Sequence, residues 1–112
     1  MPGPSAERSS AIQSLSKLSI LRRADRTAWQ TFDDRVVVLD IPSRTMLGLS
    51  PTAARVWREL DGERNLESIA RGIADQHGQP VTGVCQDVIA FVRELLEREC
   101  VEPVPGGGSP TP

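Results

Sequence analysis

The stretch RTMLGLSPTAARVWRELDG, Arg44 to Gly62, constrains the chain more than any other, because it sets a strand directly against a helix start. Only Ser50 and Pro51 stand between them. A serine oxygen can accept from the free N–H groups of a first helical turn, and proline at the first helical position forfeits no hydrogen bond. Leu49, Ala53, Val56, Trp57 and Leu60 then recur at helical spacing as far as Gly62, which favours the left-handed conformation of a helix terminator. In the strand, Thr45 to Leu49, alternation puts Leu47 and Leu49 on one face and Met46 with Gly48 on the other. Half of its side chains therefore face away from the helix that follows.

Upstream, AWQTF from Ala28, the Asp33-Asp34 turn and RVVVLD read as a hairpin of β-branched and aromatic residues, and the Pro42-Ser43-Arg44 turn leads into Thr45 to Leu49. These make a three-stranded meander. Downstream, Asn65 is placed to cap a second helix with Leu66, Ile69, Ala70 and Ile73 on one face, which Gly78 ends. A third helix runs from about Thr82 to Glu99. Three strands followed by three helices predict an α+β domain of winged-helix-like layout. Its expected bounds are residues 12–102, with Pro, Gly and Ser leaving 1–11 and 103–112 too poor in apolar surface to fold. Residues 12–27 fit either a helical turn through Ile12 and Leu15 or a strand through Leu18 and Ile20, and both readings stay open.

With 112 residues, 38% of them hydrophobic, and a formal charge of −2, the chain suits one small soluble domain with no large basic field to attract nucleic acid or acidic lipid. No apolar run approaches the roughly 18 residues of a membrane span, and the first ten residues lack the apolar core of a signal peptide, which points to the cytosol. Cys85 and Cys100, about 22 Å apart on a helix rising about 1.5 Å per residue, are out of disulfide reach and read as free thiols. His77 is the single histidine, and nothing in the spacing suggests a metal or any other cofactor. The same residues are the only nucleophile and base candidates for an enzyme, and no pattern pairs them. Buried cysteines behave as small hydrophobes, so catalysis is not expected.

The third helix carries the strongest pattern. At about 100° per residue, Val84, Val88, Phe91 and Leu95 cluster into an ordinary core stripe. Val92, Cys85, Leu96 and Ile89 widen the apolar arc by about another 100°, more than one packing contact requires. The extra width has two readings. It packs under the sheet or the N-terminal segment, or it forms a groove for a partner. An unpaired edge on the strand Thr45 to Leu49 beside an apolar helix would be a template for an incoming strand. The rival is a winged helix reading DNA, since the second and third helices resemble a helix-turn-helix. Its would-be recognition helix carries Asp87, Glu94, Glu97 and Glu99 against Arg93 and Arg98, the wrong balance for phosphate.

The blocks LSPTAARVWRELDG, NLESIARGIADQHG and DVIAFVRELLERECVE resemble the PqqD family, named for pyrroloquinoline quinone biosynthesis protein D, over about Trp29 to Glu102. Ser50 stands where that family usually has Asn, and Glu99-Cys100 where a Gly-apolar pair commonly ends the third helix. The resemblance implies a non-enzymatic peptide chaperone, a recognition element for ribosomally synthesised, post-translationally modified peptides. Such a protein binds the leader of a precursor peptide and delivers it to a modifying enzyme, of the radical S-adenosylmethionine type in the PqqD case. The leader adds as a strand and lies against the third helix. Carried over, the binding edge is Thr45, Met46, Leu47, Gly48 and Leu49, and the facing wall is Cys85, Ile89, Val92 and Arg93.

Overall fold

The computed structural model describes residues 12–104; of the segments expected to be unfolded, 1–11 and all but the first two residues of 103–112 lie outside it. The meander forms as expected: β2 (Thr27–Phe32), β3 (Arg35–Asp40) and β4 (Thr45–Leu49) are antiparallel neighbours in that order, after β1 (Ile20–Arg23). Its registers run Trp29↔Val38↔Leu47 and Thr31↔Val36↔Leu49, so each trio shares the inward face. Asp33 and Arg44 adopt positive φ of 57° and 58° in the two hairpin turns, the conformation such tight reversals demand.

The helices are α1 (Pro51–Glu59), α2 (Leu66–His77) and α3 (Val81–Glu97), with β5 (Asp61–Asn65) between the first two and β6 (Val101–Pro103) after the third. Ser50 caps α1 by accepting from the Ala53 N–H at 3.3 Å, and Asn65 caps α2 by accepting from Ser68 at 2.8 Å. Gly78 ends α2 in the left-handed conformation with φ 63°. At the end of α3 the left-handed residue is Glu99, φ 61°. Its N–H donates to Leu96 O at 3.0 Å and that of Cys100 donates to Leu95 O at 2.9 Å, the two bonds of a Schellman cap. A glycine would adopt this conformation without strain; here a glutamate does.

Two expectations are corrected. Gly62 does not terminate α1: the helix stops at Glu59, Leu60 is the cap residue, and Gly62, with φ 83°, lies inside β5. The reason is tertiary. The Arg23 guanidinium of β1 donates to Trp57 O at 3.0 Å and Arg58 O at 2.7 Å, taking up carbonyls that a glycine turn would otherwise satisfy. The second correction is a second sheet, antiparallel with order β5-β1-β6, built partly from the stretch left open at 12–27. It pairs Leu21 with Pro103 and Arg23 with Val101, so Pro103 belongs to a strand rather than to a tail.

The α+β, winged-helix-like expectation holds, with a second three-stranded sheet beside the expected one. Trp57 is completely buried, the Trp29 ring meets it edge-to-face at 6.2 Å, and the Arg23 guanidinium lies 5.3 Å from the Trp29 ring centre. Trp29 of one sheet thus packs on the Trp57 side chain, and Arg23 of the other packs on Trp29 and binds the Trp57 carbonyl. Among the described residues no helix is long and apolar enough to cross a membrane.

Candidate functional site

β4 pairs with β3 on one side only, so its other edge presents backbone N–H and C=O groups that no strand among the described residues takes up. Along it Thr45, Met46 and Gly48 are exposed, Leu47 is half-buried and Leu49 is buried. Met46 is 68% exposed on the outward face, while Leu47 and Leu49 turn inward beneath the edge. A Cβ built on Gly48 would meet nothing within 4 Å, so the outer surface beside it is open.

Two cavities flank this edge. Beneath its start lies one of about 260 Å³, lined by Val38, Thr45, Leu47 and Cys100 and rimmed by Arg26, Asp40, Arg98 and Glu99. Just past its end lies one of about 330 Å³, where Ser50 and Ala53 face Val84, Asp87, Val88 and Phe91 of α3. The α3 residues in the second cavity are Val84, Asp87, Val88 and Phe91, while Arg98, just past the end of α3, lines the first.

The residues expected to form the wall line neither of these cavities. Cys85 and Ile89 line a different cavity, of about 430 Å³, with Ser16, Lys17, Glu67 and Arg71 on the opposite flank of the helix. Val92 is fully buried and has no surface to offer, and Arg93 is exposed. Phe91, expected in the core stripe, is half-buried, whereas Val92, Cys85 and Leu96 of the widened arc are core. The wide arc is thus wide because α3 packs on one flank against α2 and the N-terminal segment. Residue spacing gives the angles between side chains on a helix but not the direction in which any of them points.

Sequence reasoning also missed the polar cluster at the start of the edge. Asp40 is buried at 7% exposure, accepts from Arg26 Nε at 2.9 Å and from the Ser43 hydroxyl, and Arg26 reaches on to Glu99 at 2.7 Å. The Ser43 hydrogen bond, followed by that of Arg26, holds the Asp40 carboxyl below its ordinary range, and Asp40 in turn raises the Arg26 guanidinium. A signal was there: Asp40 follows Val36 and Val38 on the inward face of β3, and a carboxylate on a buried face needs a cation.

The catalytic candidates do not meet. Cys100 lines the cavity at the start of the edge, His77 the one at its end, and Cys85 the one on the far flank. Burial raises both thiols above their ordinary range, which disfavours the thiolate. The exposed side of α3 presents Asp87, Glu94 and Glu97 with Arg93 and Arg98, and Arg98 is bound to Glu94 at 3.4 Å. It offers a DNA phosphate little uncommitted positive charge.

The family model described as coenzyme PQQ synthesis protein D (PqqD) matches residues 35–101. The PqqA binding protein of Rhizobium meliloti (strain 1021) is 40% identical over 65 residues, 58% of this chain and 65% of that relative, so the chain spans just under two thirds of its length. Among solved structures, TbiB1 in complex with the TbiA(beta) leader peptide superposes with a TM-score of 0.68 at 27% identity, covering 72% of this chain and 94% of that one. Lasso peptide synthetase B1 complexed with the leader peptide gives a TM-score of 0.68 at 23% identity over 74% of this chain and 98% of that one, a likeness of fold.

Proposed function

The chain belongs to the PqqD family, and on that premise we propose that it is a peptide chaperone, which binds the leader of a ribosomally synthesised precursor by strand addition to β4 and presents it to a modifying enzyme. The single observation that carries this reading is the unpaired β4 edge lying between two cavities against α3. The PqqA binding protein and the two structures solved with leader peptides support it by their similarity to this chain. The docking segment is Thr45, Met46, Leu47, Gly48 and Leu49, and the facing wall is the Phe91 flank of α3 rather than Ile89 and Arg93.

Strand pairing alone is too weak for this task. Four or five backbone hydrogen bonds at roughly 0.5–1.5 kcal/mol net each give about 2–7.5 kcal/mol, whereas micromolar affinity needs about 8 kcal/mol beyond the costs of association. The apolar linings of the two cavities supply the remainder, and with it the selectivity. The chain itself performs no chemistry in this reading. The bond-making belongs to the partner, an enzyme of the radical S-adenosylmethionine type or similar.

The test is a titration of the full chain with synthetic leaders of candidate precursor peptides, followed by amide hydrogen exchange. Micromolar or tighter binding with new protection over 45–49 is expected. Binding that leaves those amides as fast as in the free chain would overturn strand addition at β4. A variant with both Cys85→Ala and Cys100→Ala, if folded, should still support modification by the enzyme; complete loss of that support would bring a catalytic role back.

A further inference from the structure

Resting on the docking reading, we infer that the cavity at the end of β4 selects a basic side chain, Lys or Arg, from the docked peptide. The floor of this cavity, Ala53, Val56, Val88 and Phe91, is apolar, and Asp87 is the acidic group of a lining that also holds Ser50, Thr52, His77 and Gln79. Asp87 is exposed, and among the described residues it makes no ion pair and no side-chain hydrogen bond.

The other cavity differs in this respect. There Arg26 is bound to Asp40 at 2.9 Å and to Glu99 at 2.7 Å, and Arg98 to Glu94 at 3.4 Å. Its charges are committed, while that of Asp87 is not. A Lys or Arg stem suits the apolar floor while its charged head stays in water at the rim, within reach of a carboxylate. The half-buried Phe91 ring adds an aromatic surface for the same cation. A longer apolar side chain would fill the floor equally well but leave the Asp87 charge without a partner, so it is the charge that discriminates.

Register fixes where the basic residue falls. Thr45, Leu47 and Leu49 face inward on β4, and residues directly opposite each other on neighbouring strands share a face. Thr45 lines the charge-balanced cavity and Ser50, next to Leu49, lines the Asp87 cavity, so the residue opposite Thr45 falls at the first and the one opposite Leu49 at the second. The two are four residues apart, about 14 Å at about 3.4 Å per residue. The peptide thus carries a basic residue at one end of a five-residue window and an apolar or neutral one at the other.

The probe is a displayed library of random ten-residue peptides, selected in parallel against the full chain, Asp87→Asn and Asp87→Lys, each checked for an unchanged melting temperature. Peptides taken by the parent should carry Lys or Arg four places from an apolar residue, enriched roughly fivefold over Asp87→Asn, the upper end of what an exposed ion pair supplies. Asp87→Lys should shift the same position to Asp or Glu. If all three proteins select the same residue there, and the selected peptides still protect 45–49 from exchange, the charge selection is wrong and the docking reading stands. Peptides that bind without protecting 45–49, or a library that yields no binders, would sink both.

Discussion

The two sheets of this chain have three strands each and are built in opposite ways. In β2-β3-β4 each strand follows its neighbour through a short turn, while β5-β1-β6 gathers strands from three distant stretches of chain. The first needs only local chain closure. The second has to hold its strands together through side chains, because every one of its pairings closes a long loop before it gains any contact. Those side chains are Leu21, 1% exposed and central in the sheet, the Arg22–Glu102 pair at 3.0 Å, and Arg23 reaching to the end of α1. Among the described residues the local sheet leaves one edge of β4 unpaired, while the non-local sheet ties together the start of the described chain, the α1–α2 link and the segment after α3.

The largest effect should come from breaking what the sheets share. Trp57→Ala removes the side chain that Trp29 of one sheet packs on and opens a void under α1, so a cost of about 3–5 kcal/mol is expected, read as a fall in urea midpoint. Leu21→Ala asks whether the non-local sheet is essential. A cost of about 2–5 kcal/mol is expected, and a value near zero would mean that the meander and helices stand without it.

Next is the groove. Phe91→Ala should weaken leader binding about tenfold, whereas Ile89→Glu on the far flank should leave binding within about twofold in the same titration. Equal losses would put the wall back where spacing alone suggested.

A smaller, pH-dependent loss belongs to Asp40. Its carboxyl is held below the ordinary range by Ser43 and Arg26, so its contribution is fully present above the unfolded-state value of about 3.9 and fades as pH falls through the depressed folded-state value. Melting temperatures from neutral pH downward should show Asp40→Asn already destabilised near neutrality, with a gap from the parent that narrows in acid. A gap that stays constant would remove the carboxylate from the account.

The smallest effect should be at Gly48. Nothing stands within 4 Å of an added Cβ, and its φ is not in the left-handed range, so Gly48→Ala should keep the melting temperature or raise it, by at most about 1 kcal/mol in stability. A clear destabilisation would mean that the open side of β4 is more crowded than the structure has it.

What the sequence determined by itself is local. Ser50-Pro51 and Asn65 start two helices, Gly78 stops one, and the alternation in RVVVLD and TMLGL makes a meander, because each signal acts through a hydrogen bond or a side-chain repeat within a few residues. The edge Thr45 to Leu49 was legible for the same reason. Tertiary structure decided the rest. Gly62 looked like a terminator and is a strand residue because Arg23, far away in sequence, reaches the end of α1. Cys85 and Ile89 looked like the groove wall and lie on the far flank. A helical repeat states which side chains share a face; only the packing of α2, β4 and the N-terminal segment around α3 states which face looks at the open edge.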